Sequence, residues 1–277
     1  MVGVVTRNEP ELSWSEFDRV FYECKSVSGR ANDPVAEGIN TLSCFADNAA
    51  VGADQSLAAR SRDGEPATDE RPSFDRSHVC PNHEAYREGL LEMITDAGEE
   101  SGDVRLDEVG FPQEEYCHCR RCDDAFEESE YDDRGAWRAS VVTEFLAAAR
   151  ERVPGDLIVA LHPDPYPGHL YERSGIDLET IEPLVEEFVV PLYDPHYGTT
   201  YWLESIASGF GDRLDVRLSI ELYAVDVDVD DLIEATSVAE EYADLVLYGY
   251  DASTARAAIR RRSAADRDGV SHQPDRS

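Results

Sequence analysis

Phe188-Val189-Val190-Pro191-Leu192-Tyr193-Asp194 is apolar or aromatic at six successive positions and then ends in a carboxylate. A strand with one wet face alternates between apolar and polar residues. A run without alternation reads as a strand buried on both faces, as in a parallel sheet. The same signature recurs at Val2–Thr6, Ile39–Ala46, Val104–Phe111, Leu157–His162, Val216–Tyr223 and Leu245–Tyr250. Between these runs, apolar residues recur at helical spacing. Examples are Tyr86, Leu90, Met93, Ile94 and Val141, Phe145, Leu146, Ala149. Trp14, Phe17, Val20 and Phe21 predict a first helix, with Ser13 and Glu16 as a capping pair. Seven strands are clear, and Tyr22–Val27 supplies an eighth that competes with the end of that helix. Alternating strands and helices without a glycine-rich first turn favour a single-domain (β/α)8 TIM-type barrel over a doubly wound sheet.

The barrel is expected over residues 1–262, with a polar rim loop at 54–78 and a cysteine cluster within 80–122. Residues 263–277 are polar and aperiodic and are expected as a disordered tail. The 277 residues carry 25 basic and 59 acidic side chains, a net charge of −34, with a single lysine, Lys25. Acid spread along the whole chain, with lysine almost absent, predicts a salt-in halophile of archaeal type. It also excludes a nucleic-acid partner, because no basic face exists. No apolar run approaches bilayer length, and the first 30 residues contain no secretory h-region, so a cytoplasmic protein is expected.

No phosphate-binding glycine loop, nucleophile elbow or kinase signature is present, so no organic cofactor is expected. His83-Glu84-Ala85-Tyr86-Arg87 lacks the second histidine of a zinc-protease helix. Cys117, Cys119 and Cys122 form C-H-C-R-R-C, and Cys80 precedes the same βα unit. A parallel-barrel unit returns the chain near its start, so four thiolates are expected to hold a structural zinc ion, closed to water. Buried free thiols and an iron–sulfur cluster are the alternatives.

In a barrel, chemistry sits where strands end. Those ends supply Asp47, Asn48, Asp107, Glu108, His162, Asp164, Asp194, His196, Tyr197, Glu221, Tyr223 and Asp251. Asp107, Glu108 and Glu221 lie inside or directly after apolar runs, where a carboxylate needs a reason. Paired carboxylates among hydroxyl-binding and aromatic groups suit glycoside chemistry: one acid protonates the leaving oxygen and the other attacks or activates water. Glu108 is expected as acid/base and Glu221 as nucleophile, with the other strand-end residues binding sugar. Alternation along the strand is expected to turn Asp107 away from Glu108. The competing reading of Glu221 is a buried ion pair with Arg105 or Arg217.

The run Arg105-Leu106-Asp107-Glu108-Val109-Gly110-Phe111-Pro112, followed by Glu115-Tyr116-Cys117-His118-Cys119-Arg120-Arg121-Cys122 and Phe126, resembles poorly characterised glycoside-hydrolase-like TIM barrels of haloarchaeal type. Its cysteine part resembles the metal-binding cluster of family 42 β-galactosidases. The resemblance covers residues 80–126 and implies a barrel, a structural zinc and a carbohydrate substrate. The Asn-Glu acid/base dipeptide of family 42 is absent, so catalytic residues are not inherited from it. With Tyr22–Val27 counted, Glu108 and Glu221 fall on strands 4 and 7, the acid/base and nucleophile strands of the large retaining-glycosidase clan. Two further readings stand beside the glycosidase: a metal-dependent barrel hydrolase using His162, Asp164, Asp194 and His196, and a barrel that binds glycan without cleaving it.

The charge makes one prediction directly. Dialysis from molar KCl to about 0.1 M, where the Debye length grows from about 3 to about 10 Å, should unfold the chain as followed by circular dichroism. A cooperative melt unchanged between the two conditions would overturn the halophilic reading.

Overall fold

A computed structural model describes residues 1–194, 197 and 199–270. Eight parallel strands close into one barrel: β1 (Val2–Thr6), β2 (Arg19–Lys25), β3 (Ile39–Ser43), β4 (Val104–Asp107), β5 (Leu157–Ala160), β6 (Glu187–Leu192), β7 (Arg217–Tyr223) and β8 (Leu245–Gly249). Each strand pairs with the next, and β8 returns to β1 with Val2 opposite Val246. Helices α1 (Asn48–Ala53), α2 (Glu84–Ser101), α3 (Arg120–Glu127), α4 (Arg134–Arg150), α5 (His169–Ser174), α6 (Leu178–Ile181), α7 (Tyr201–Gly211), α8 (Val229–Ala239) and α9 (Ala252–Val270) connect them. The expected (β/α)8 barrel is therefore the fold.

The strands are apolar on both sides because both sides are covered. Outward residues such as Val104, Leu106, Phe188 and Val190 pack under the helices. Inward residues form a separate cluster of Val5, Phe21, Ile39, Ile158, Val189, Leu245 and Leu247. Ionic layers lie at both ends of this plug. At the N-terminal end Arg19 meets Glu187 at 2.6 Å, Ser219 Oγ donates to Glu187 at 2.6 Å, and Arg217 pairs with Asp156. The C-terminal layer holds Arg105, Asp107 and Glu221.

Three expectations change. No helix forms over Trp14–Phe21. A short 3₁₀ turn, Glu9–Ser13, and a turn over residues 14–18 lead into β2, which starts three residues before the expected Tyr22. Phe21 belongs to the barrel plug, so inward packing overrides the accidental helical spacing. The stretch at 54–78 is polar but tightly folded, with Ala58, Ala59, Ala67 and Phe74 buried and antiparallel bridges from Ala58 to Val79 and Ser61 to Tyr116. Finally, α9 continues through Ser263 to Val270, within the stretch expected as a disordered tail. Residues 271–277 lie outside the described residues.

Candidate active site

A cleft of about 390 Å³ opens at the C-terminal face of the barrel. Asp107 and Glu108 both line it, contrary to the expected alternation. The strand ends at Asp107, and Glu108 adopts a left-handed backbone (φ 56°) that turns its side chain back to the cleft. Glu108 is about a third exposed and forms an ion pair with Arg76 from the rim loop. Desolvation raises its proton affinity, and Arg76 opposes that rise.

In the cleft floor, Arg105 is almost fully buried. Its Nε and Nη2 donate to Asp107 at 2.8 and 3.3 Å, and Nη2 lies 2.5 Å from Glu221 Oε2. Glu221 has no exposed surface and does not line the cleft. The Tyr193 hydroxyl donates to its other oxygen from above. Burial raises the proton affinity of Glu221, and Arg105 lowers it. A Cβ at Gly249 would sit 2.9 Å from Glu221 Oε1, so the glycine leaves room for this carboxylate. The ion pair with Arg105 is the alternative weighed from sequence; Arg217 lies in the other ionic layer, against Asp156 and Glu187.

The remaining strand-end residues divide. His162 lines the cleft, its proton affinity lowered by desolvation and then by Arg173. Asp47 caps α1 through the Ala50 N–H and accepts from Lys25 and Tyr86. Asn48 accepts from the Ser77 N–H at 2.8 Å and so holds the rim loop. Asp164 accepts from the Tyr166 N–H and meets His169 at 2.9 Å. Tyr197 is buried; its hydroxyl donates to the Leu192 carbonyl and accepts from the Tyr223 N–H, joining the ends of β6 and β7. Tyr223 packs against Tyr193 with the rings tilted, centroids 5.3 Å apart, and Asp251 caps α9. None of these from Asp47 onward lines the cleft, nor does Asp194. His196 lies outside the described residues. Asp164 pairs with His169, and among the described residues the four-cysteine group is the cluster suited to hold a metal.

Cleft residues that strand-end reading missed are Glu23, Lys25, Arg76, His78, Arg173 and Tyr193. Lys25 did carry a signal, as the single lysine of an acidic chain. It is buried, with Nζ 2.8 Å from the Ser43 carbonyl and 3.0 Å from Asp47. Arg76 and Arg173 stand on connecting segments, where periodicity says nothing.

The sulfurs of Cys80, Cys117, Cys119 and Cys122 all lie within 4.8 Å of one another. Cys80 is 3.3 Å from Cys122 and 3.7 Å from Cys119. A tetrahedral ion with metal–sulfur bonds of about 2.3 Å requires sulfur separations of about 3.8 Å, so the four thiols fit one. The N–H groups of Arg60 and Cys119 donate to Cys117 Sγ at 3.2 and 3.4 Å, which suits thiolate charge. No disulfide forms; Cys24 and Cys44 are separate buried thiols, and burial pushes Cys24 up to about 12.

No family model and no curated protein sequence matches the chain. Solved structures do. An α-L-fucosidase isoenzyme from Paenibacillus thiaminolyticus superposes with a TM-score of 0.67 at 12% identity, over 96% of this chain and 49% of that one. A Bacillus subtilis mannanase gives 0.45 at 9% identity, over 91% and 80%. An endo-β-1,3-glucanase from Lentinula edodes gives 0.42 at 10% identity, over 90% and 82%. What the likeness shows is the barrel. At 12% identity the likeness to the fucosidase is one of fold alone, and this chain spans about half the length of that enzyme.

The buried chemistry can be tested at two positions. Cys119→Ser should release one equivalent of metal, read by elemental analysis, and lower the melting temperature, because binding at such a site is coupled to folding. Glu221→Gln should destabilise the fold by about 3 kcal/mol in denaturant unfolding, because it strips one of two carboxylates from a buried guanidinium. A Glu221→Gln protein of wild-type stability would show that Asp107 alone neutralises Arg105.

Proposed function

We propose that the chain is a glycoside-hydrolase-like enzyme that cleaves a glycosidic bond with a pair of carboxylates, Glu108 and Asp107. The observation that carries this reading is the pairing itself. The two face one cleft of sugar size; Glu108 has raised proton affinity, and Asp107 is clamped by Arg105. Glu108 donates its proton to the leaving oxygen. Asp107 faces the positive charge that develops at the anomeric carbon, where water then adds and returns its proton to Glu108. Glu221 then acts as a counter-charge that fixes Arg105 and through it Asp107. As the nucleophile it would first have to lose the Tyr193 hydroxyl that covers it. Tyr193 and Tyr250, which line the cleft with their rings 6.4 Å apart, offer apolar faces to a sugar ring. Arg7 lies over the Tyr250 ring at 4.9 Å and holds it.

We assign zinc to the cysteine site, since four thiolates in a closed tetrahedron suit it and leave no position for water. Its role is structural. The His118 N–H donates to the Arg60 carbonyl at 2.7 Å, and the Arg60 N–H donates to Cys117 Sγ, so the site pins the loop that carries Arg76.

The test uses unactivated disaccharides, whose alkoxide leaving groups need a proton, with released reducing sugar as the readout. Glu108→Gln should lower kcat by about 10²- to 10⁴-fold without changing the melting temperature. Unchanged turnover would remove Glu108 from the mechanism, whereas glycan binding with no turnover by the unsubstituted protein would favour a barrel that only binds. The acid must be protonated, so activity should fall as pH rises through the raised value of Glu108. Arg76→Met removes the charge that lowers this value, so the alkaline limb of kcat/KM should move to higher pH.

A further inference from the structure

The cleft wall beside Glu108 is unlike the rest of the molecule in charge. Its lining holds four cations, Lys25, Arg76, Arg105 and Arg173, against four acids, Glu23, Asp75, Asp107 and Glu108. The whole chain has 25 against 59. Most of the lining charges are matched: Lys25 with Asp47, Arg105 with Asp107 and Glu221, Arg76 with Glu108, and Glu23 with Arg7. Arg173 is exposed and, among the described residues, its guanidinium has neither a carboxylate nor a carbonyl partner.

Its mounting is rigid. Arg138, almost fully buried, donates to the carbonyls of Glu172, Gln113 and Arg173 at 2.8, 2.9 and 2.7 Å. The next residue, Ser174, accepts from the Phe111 N–H at 2.9 Å, and a Cβ on Gly110 would lie 2.6 Å from its carbonyl oxygen. The turn that carries Arg173 is thus locked to the segment that follows Glu108. The fields of Arg173 and Arg76 converge: both lower the proton affinity of Glu108, His78 and His162. Arg76 and Arg173 therefore both act on Glu108, and two desolvated histidines beside them are held neutral. An unpaired guanidinium fork carried on a fixed backbone matches an anionic oxygen pair.

We propose that Arg173, with Arg76 beside it, recognises an acidic substituent on the sugar, either a carboxylate or a sulfate ester, so that the substrate is an anionic glycan. This rests on the cleft being a sugar site. A neutral sugar gives such a guanidinium nothing to neutralise, and an acidic one must overcome the repulsion of a strongly negative chain.

Binding, measured by isothermal titration at a KCl concentration that keeps the chain folded, separates the two ideas. The probes are methyl β-D-glucuronide, glucose 6-sulfate, methyl β-D-glucoside and inorganic sulfate. One or both acidic sugars should bind about tenfold more tightly than the glucoside, and whichever does identifies the acidic group. Arg173→Met should erase that difference, and Arg173→Lys, which keeps the charge but not the fork, should restore part of it. Equal binding of acidic and neutral sugars would overturn the anionic assignment and leave the sugar cleft standing. An acidic preference that persists in Arg173→Met, or inorganic sulfate binding as tightly as the acidic sugars, would also overturn it. Failure of every sugar to bind would overturn both.

Discussion

One buried guanidinium organises the upper barrel. Arg105 projects inward from β4 above the apolar plug, where an uncompensated cation would cost several kcal/mol. Two carboxylates answer it, Asp107 from the same strand and Glu221 from β7. That requirement explains much of the surroundings. Gly249 is bare so that Glu221 fits, and Tyr193 closes over the remaining carboxylate oxygen. Asp107 is held with its partner beneath and the cleft above. The chain can then leave β4 in the left-handed turn that brings Glu108 to the same cleft.

The cleft is also built from outside the barrel. Arg76 reaches Glu108 from a loop that no strand or long helix supports. Its supports are the bridges at Ala58 and Ser61, the Asn48 side chain, and the contacts between Arg60 and the 117–118 segment. The cysteine site fastens that segment to Cys80, directly beyond the loop. A metal ion bound by these four thiols would bear on the cleft by fixing one arginine. This differs from a catalytic metal, which needs an open coordination position that four thiolates do not leave.

Sequence alone determined the fold and the four-thiol cluster because both are written in local pattern. Unalternating apolar runs are what strands covered on two faces require, and seven of the eight strands were legible as such. Close cysteine spacing, with Cys80 ahead of the same βα unit, sufficed for the four thiols because a parallel crossover returns the chain to its start. Asp107 and Glu108 stood out as acids within an apolar run. Tertiary structure decided the rest. Whether a carboxylate in a strand faces a cleft or a buried cation depends on what the closed barrel places opposite it, and that separated Glu108 from Glu221. The left-handed residue that puts Asp107 and Glu108 on one wall is invisible to a rule of alternation. The Trp14–Phe21 spacing looked helical until closure required Phe21 in the plug. Arg76 and Arg173 come from connecting segments whose sequence has no period, so only packing against the β4 exit could bring them to the acids.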